Sequence, residues 1–116
     1  MRVLVCGGRA FKDEQRLIAE LDRLDMSHGP LVVIEGEATG ADQMAANWAA
    51  RRRRQCLPFP ADWERYKLKA GPRRNQEMLD KGRPDMVVAF PGGRGTEDMV
   101  RRAERKGVSV WRPMQS

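Results

Sequence analysis

The alternation of two kinds of segment along the chain restricts its fold more than any other feature. Short apolar runs, rich in β-branched residues, alternate with segments whose apolar residues recur at the helical period. Strands that are apolar throughout are typical of parallel sheets covered on both faces. The order βαβαβαβαβ therefore predicts a Rossmann-like, doubly wound α/β fold with a five-stranded, mainly parallel sheet and helices on both faces. Such folds bind ligands beyond the carboxyl ends of the strands, where the strand order reverses.

Glycine and proline separate the predicted elements. Pro58 and Pro60 confine the third strand to an edge of the sheet. Asp13 is placed to cap the first helix and Gly107 to end the last one. The length of 116 residues predicts a single domain, 1–116. The predicted strands are residues 2–6, 31–34, 55–59, 85–90 and 108–111, the predicted helices are residues 16–26, 41–53, 72–81 and 96–106, and residues 62–70 are predicted as a loop.

Composition argues against several classes of protein. No apolar run approaches the ~20 residues of a membrane span, and the start of the chain is unlike a signal peptide. Cys6 and Cys56 both lie in strand-like segments, so we expect buried free thiols and a cytoplasmic protein. His28 is the single histidine and there is no CxxC, so we expect neither a metal nor a cofactor.

The formal net charge is +6, and its densest run is Arg51–Arg54. This run closes a predicted helix, where cations meet the negative end of the helix dipole. No aromatic residue is interleaved with it, as a platform for single-stranded nucleic acid would require. We therefore expect solvated charges at a helix end, with a nucleic-acid patch as the alternative.

Glycines cluster in three loops that follow predicted strands, residues 7–9, 36–40 and 91–96. In a parallel sheet these loops lie along one edge, each leading to a helix N-terminus with unpaired N–H groups. Glycine lets a ligand approach the backbone closely. The sequence Pro-Gly-Gly-Arg-Gly-Thr at 91–96 therefore predicts a phosphate-binding loop. It has no GxxxxGK[ST] or GxGxxG pattern, so a dinucleotide site has little support.

Arginines flank this predicted cradle, and a guanidinium grips phosphate through two parallel hydrogen bonds. Asp42 either contributes to the site or caps the second helix. Trp63 either stacks on a base or serves as an apolar lid or core residue. The catalytic candidates, should the protein be an enzyme, are Arg74, Glu97 and Asp98. The predicted ligand-binding residues are Gly7, Gly8, Arg9, Gly36, Gly40, Asp42, Arg74, Asn75, Pro91, Gly92, Gly93, Arg94, Gly95 and Thr96.

Five segments in order resemble the SLOG superfamily, and most of all its small YspA-type branch, which is related to YpsA. They are residues 7–13, 35–42, 59–63, 70–79 and 89–96. The superfamily includes the Lonely Guy phosphoribohydrolases, which split nucleoside monophosphates, and the Rossmann domain of DprA, which binds single-stranded DNA. The resemblance implies a nucleotide-derived ligand with its phosphate on Gly92, Gly93, Gly95 and Thr96. It also implies that Arg74 resembles the active-site arginine of the Lonely Guy enzymes.

The sequence departs from the Lonely Guy pattern at Met99, where those enzymes carry a glutamate. Methionine cannot transfer the proton or stabilise the charge that glycosidic cleavage needs. Glu37 and Thr39 also replace the glycine and arginine usual in the YspA-type branch. We therefore expect a protein that binds a nucleotide-derived small molecule, with a nucleoside monophosphate hydrolase and a single-stranded nucleic-acid binder as alternatives. Lonely Guy enzymes are dimers, so the resemblance allows a homodimer, and no membrane partner is expected.

Overall fold

A five-stranded sheet forms the centre of the protein, and the computed structural model describes residues 1–114. Neighbouring strands are parallel throughout, in the order β3-β2-β1-β4-β5. The order reverses between the central strand β1 and its neighbour β4, which places the switch point beside their carboxyl ends. The predicted Rossmann-like fold is confirmed. The strands are β1 (Arg2–Cys6), β2 (Val32–Glu35), β3 (Gln55–Pro58), β4 (Met86–Ala89) and β5 (Ser109–Trp111).

Helices connect the strands, and their ends follow the predicted signals. The Asp13 carboxylate accepts a hydrogen bond of 3.1 Å from the backbone N–H of Arg16 and so caps the first helix. Gly107, with φ of 80°, ends the last helix in the left-handed conformation. The helices are α1 (Glu14–His28), α2 (Ala41–Arg52), α3 (Trp63–Tyr66), α4 (Ala70–Gly82) and α5 (Arg94–Lys106), with a 3₁₀ turn at Lys67–Lys69.

The two faces of the sheet support separate apolar clusters. Val3 and Val5 point to the face covered by α1 and α2, and Leu4 and Cys6 point to the face covered by α4 and α5. Because side chains alternate along a strand, each of β1, β2, β3 and β4 contributes to both clusters. Met99, on α5, is fully buried in the second cluster.

The prediction of a loop over residues 62–70 is wrong. Asp62 accepts a hydrogen bond of 3.2 Å from the backbone N–H of Arg65 and starts the single turn of α3. The 3₁₀ turn then leads directly into α4, so α4 begins at Ala70, before the predicted start at Pro72. The last helix also begins early, at Arg94, so Gly95 and Thr96 belong to its first turn.

The run Arg51–Arg54 faces α1, and three of its arginines, although in contact with water, pair with carboxylates of that helix. Arg52 contacts Asp22 at 3.0 Å and Arg54 contacts Asp25 at 2.9 Å. These hydrogen bonds lower the pKa of both carboxyl groups. The run therefore joins α2 to α1, and much of its charge is balanced within the protein.

Both cysteines are free thiols, as predicted, with Cys6 buried and Cys56 only half-buried. Burial raises the pKa of Cys6 to about 12 and that of Cys56 to about 11, so neither is a ready thiolate at neutral pH. Among residues 1–114, no helix has the length and apolar character that crossing a membrane requires.

We predict that Met99→Glu destabilises the fold, because it buries a carboxylate among Leu4, Leu79 and other apolar side chains. The free energy of unfolding should fall by about 3 kcal/mol or more. Met99→Leu keeps the volume and should cost under about 1.5 kcal/mol. Urea unfolding of the three proteins checks this, and a Glu variant as stable as the Leu variant would contradict it.

Candidate functional site

The backbone of Gly8 joins three loops at the carboxyl edge of the sheet. Its N–H donates to the carbonyl of Pro91 at 2.9 Å, and its own carbonyl accepts from the N–H of Phe11 at 3.2 Å and of Ala41 at 3.3 Å. These bonds connect the β1–α1 loop to the β4–α5 loop and to the start of α2. The three glycine-bearing loops predicted to share one edge therefore lie together.

Two further glycines allow this close approach. A Cβ atom at Gly40 would lie 2.7 Å from the carbonyl oxygen of Arg9, and its φ of 78° is itself unfavourable for other residues. A Cβ atom at Gly92 would collide with the Thr96 hydroxyl and lie 2.6 Å from the backbone nitrogen of Gly8. Larger residues at either position would push the loops apart.

The N-terminus of α5 differs from those of α1 and α2, which lie at the same edge. The first turn of α1 is capped by Asp13, and the first amide of α2 donates to Gly8. Within residues 1–114 no side chain caps α5, and its preceding residue Gly93 and its first residue Arg94 are exposed. The first N–H groups of a helix lack partners within the helix and carry partial positive charge. This terminus therefore offers free donors to an anion.

Arg74 lies against the second glycine loop. One of its terminal nitrogens donates to the carbonyl of Gly36, and a Cβ atom at Gly36 would lie 2.8 Å from the guanidinium carbon. Asp42, which is buried, accepts from the N–H groups of Gly36 at 3.2 Å and Ala38 at 3.3 Å. It thus braces the loop, and does not act as the N-cap of α2, which is Gly40.

Electrostatics in this cluster depend on burial. Burial raises the pKa of Asp42, while the amide of Ala38 and the charge of Arg74 oppose that shift. Burial also lowers the pKa of Arg74, and the Asp42 carboxylate opposes it. Arginine remains charged in proteins, so Arg74 presents a fixed cation beside the loop.

Asn75 connects Arg74 to α5. Its side-chain oxygen accepts from Arg74 Nε at 3.1 Å, and its amide nitrogen donates to the carbonyl of Gly95 at 3.1 Å and to Asp98 at 3.0 Å. Asn75 is buried, so these contacts are shielded from water. The orientation of Arg74 and the position of the α5 N-terminus are therefore linked through one amide.

The two carboxylate candidates for catalysis both have cationic partners. Glu97 receives two hydrogen bonds from Arg112, at 2.9 and 3.0 Å, which lower its pKa. Burial raises the pKa of Asp98, but hydrogen bonds from Asn75 and from Arg102 outweigh it and lower the pKa. The catalytic roles of Arg74, Glu97 and Asp98 stay predictions.

Glu35 is a carboxyl group next to the second glycine loop whose pKa lies close to neutrality. The side chain is 2% exposed at the end of β2, and burial raises its pKa to about 7. One oxygen accepts from the N–H of Glu37 at 2.7 Å, and the other lies 3.8 Å from the thiol of Cys56. Within residues 1–114, no three His, Cys, Asp or Glu side chains are grouped to hold a metal ion.

Arginines stack on aromatic rings at α3, a feature absent from the sequence analysis. The Arg9 guanidinium lies 5.5 Å from the centre of the Trp63 ring, and that of Arg73 lies 3.9 Å from the centre of the Tyr66 ring. A cleft of about 390 Å³ lies beside them, between α3 and α4. The interleaving of Arg, Tyr and Lys in residues 63–69 was the sequence signal for this surface.

Comparison with known proteins identifies the family. Residues 1–66 match the profile of the family described as YspA, cpYpsA-related SLOG family (YAcAr). The chain is also 40% identical over 117 residues to the Gene 61 protein of Mycobacterium phage D29, covering 94% of this chain and 93% of that protein. The chain belongs to this SLOG family.

A solved structure gives a wider comparison for this SLOG protein. MurG of Acinetobacter baumannii superimposes with a TM-score of 0.62 at 13% identity, covering 94% of this chain. The chain spans 33% of the MurG chain, and at this identity the likeness concerns the fold alone. The matched family profile includes the first two glycine loops of the SLOG protein and ends before α4 and the Pro91–Thr96 segment.

We predict that Glu35 makes the SLOG protein less stable as the pH rises. A pKa raised from 4.5 to about 7 means that the folded state keeps a proton that the unfolded state has lost. This contribution is fully present below about pH 4.5 and is lost as the pH rises through about 7. Glu35→Gln stays neutral and should show a smaller loss of unfolding free energy between pH 5 and pH 8, measured with urea.

Glu104→Gln, a change at an exposed glutamate of α5, is the matched control for that experiment. It should retain the wild-type pH dependence, because Glu104 is not one of the charged groups that shift the pKa of Glu35. Equal pH dependence in wild type and Glu35→Gln would show that Glu35 is not the group that titrates.

Proposed function

We propose that this protein binds a nucleotide or nucleotide-derived ligand, with a phosphate group at the N-terminus of α5. The observation that carries the proposal is the contrast among helix N-termini at the sheet edge. Those of α1 and α2 already have acceptors, whereas α5 begins at an exposed, glycine-rich turn with no side-chain cap. Phosphate binds well at such a terminus. Membership in the SLOG family supports a nucleotide-related ligand.

Cations near this terminus support an anionic ligand. Arg94 lies in the first turn of α5 and is exposed, and Arg9 projects from the neighbouring β1–α1 loop, also exposed. Arg74 is held by Gly36 and by Asn75, which itself contacts α5. A guanidinium binds phosphate with charge-assisted hydrogen bonds, so these three side chains complement the amides of α5.

Contacts of the acidic residues favour binding over hydrolysis. Glycosidic cleavage needs a carboxylate available to the substrate, but Glu97 is held by Arg112 and Asp98 by Asn75 and Arg102. The remaining position, Met99, is in the apolar core. These features support a sensor or sequestering protein over a hydrolase.

The alternative of a nucleic-acid binder loses part of its support. It rested on the net charge and on the run Arg51–Arg54, of which Arg52 and Arg54 are paired with carboxylates of α1. An arginine that is already paired with a carboxylate contributes less binding free energy when it contacts a nucleic-acid phosphate.

We predict that Gly93→Asp abolishes ligand binding without harming the fold. A Cβ atom at Gly93 has no neighbour within 4 Å, and aspartate is a favoured N-cap residue. Its carboxylate would occupy the amides that the phosphate needs, and the helix cap should leave stability equal or raise it by about 1 kcal/mol. Titration calorimetry with AMP, ADP-ribose and cyclic nucleotides should show at least a tenfold weaker affinity for whichever ligands bind.

Gly93→Ala is the matched control, since it adds the Cβ atom without a charge. It should bind within about threefold of wild type. Equal affinity of Gly93→Asp and wild type would contradict the proposal, as would the absence of any binding heat with all these nucleotides.

A further inference from the structure

Trp63 is a large aromatic residue whose position the packing of the fold does not explain. Trp48 and Trp111 each donate an indole N–H to a carboxylate of α1, at 2.9 and 2.7 Å, and so help to hold α2 and β5 against that helix. Trp63 lies instead on α3, a helix with no buried residue, and is 46% exposed. It is therefore not a core residue.

The ring of Trp63 lies against the first turn of α4. A Cβ atom at Gly71 would lie only 3.3 Å from the ring atom Cη2, so glycine leaves the ring its place there. Asn75 follows Gly71 by four residues and lies on the same face of α4, one turn further on. Because Asn75 donates to the carbonyl of Gly95, this contact leads from Trp63 to the first turn of α5.

A second set of contacts leads from Trp63 to the same segment. The Arg9 guanidinium lies over the indole, 5.5 Å from its centre. Arg9 follows Gly8, whose N–H donates to the carbonyl of Pro91 at 2.9 Å. The exposed ring is thus connected to Pro91–Thr96 through α4 and, independently, through the β1–α1 loop. It lies at the edge of the sheet that carries the proposed phosphate site.

Arg9 covers this ring only loosely. Its distance of 5.5 Å is near the limit of about 6 Å for a cation–π contact, whereas Arg73 lies 3.9 Å from the centre of the Tyr66 ring. An exposed contact of this kind changes an equilibrium by about two- to fivefold. A nucleobase stacked on an aromatic side chain changes affinity by about five- to a hundredfold. A base can therefore displace the guanidinium, which leaves Arg9 to pair with phosphate.

We infer that Trp63 is the platform on which the base of the ligand stacks. The site then selects a nucleotide that keeps its aromatic base over a sugar phosphate. This inference rests on the proposed function, which places the phosphate on α5. The two parts of the ligand are recognised by different chemistry, the phosphate by amides and guanidinium groups and the base by the face of an exposed indole.

Ribose 5-phosphate is the matched probe, because it has the sugar and phosphate of AMP without the base. In titration calorimetry, wild type should bind AMP or GMP at least about tenfold more tightly than ribose 5-phosphate. Trp63→Leu should abolish most of that preference and leave ribose 5-phosphate within about twofold, whereas Trp63→Phe should keep most of it. Equal affinity of wild type for the three ligands would overturn the inference, as would an equal loss for all three in Trp63→Leu.

Two further variants separate stacking from other effects. Leu68 is 90% exposed in the adjoining 3₁₀ turn, and Leu68→Ala should change neither affinity. Arg9→Ala should weaken both ligands, and the preference for AMP should stay or rise because no guanidinium competes for the ring. Loss of the preference in either variant would assign it to something other than the Trp63 ring and would overturn the inference.

The indole N–H resonances provide a direct NMR readout. AMP should shift the resonance of Trp63, identified by its loss in Trp63→Phe, and ribose 5-phosphate should leave it in place. Trp48, which is 1% exposed, is the internal reference. Saturation with AMP while the Trp63 resonance stays unmoved would overturn the inference.

Gly93→Asp distinguishes failure of this inference from failure of the proposed function. It should weaken AMP and ribose 5-phosphate alike, because both carry the phosphate. If it does so while Trp63→Leu has no effect on AMP, the base platform is wrong and the phosphate site stands. If Gly93→Asp binds ribose 5-phosphate as tightly as wild type, the proposed function fails and the inference fails with it.

Discussion

The backbone hydrogen bonds that join three loops at Gly8 are the constraint on which the candidate site depends. Its N–H and carbonyl groups bond to Pro91, Phe11 and Ala41, and these bonds fix the three loops at the carboxyl edge of the sheet. These bonds can form only because Gly40 and Gly92 carry no side chain where the loops touch. The parallel order of the strands brings the loops to one edge, and the glycines let them touch.

Because of this packing, the helix N-termini at this edge differ in whether the protein itself supplies an acceptor for their first N–H groups. The carbonyl of Gly8 accepts from the first amide of α2, so that terminus is occupied by the protein itself. In the described part of the chain, no side chain caps the N-terminus of α5, which follows an exposed turn, and Thr96 in its first turn is buried. Asn75, which accepts from Arg74, also donates to the carbonyl of Gly95 in α5. The proposed anion-binding role of the site thus rests on which terminus the loop packing leaves free.

The sequence was sufficient for the sheet, the long helices and the shared edge of the glycine loops, because strand and helix periodicity and glycine placement are local signals. It was insufficient for α3, whose single turn has no buried residue and therefore no apolar period. The pairing of Arg52 with Asp22 and the stacking of Arg73 on Tyr66 join residues that only the tertiary structure brings together. The roles of the predicted site residues stay predictions, because proximity alone does not establish a ligand.

A crystal structure of the protein soaked with AMP is the most direct test of the central claim. The account predicts phosphate oxygens within about 3 Å of the backbone nitrogens at the start of α5, between Gly93 and Thr96. A nucleotide bound elsewhere on the protein, with these amides still facing water, would contradict it.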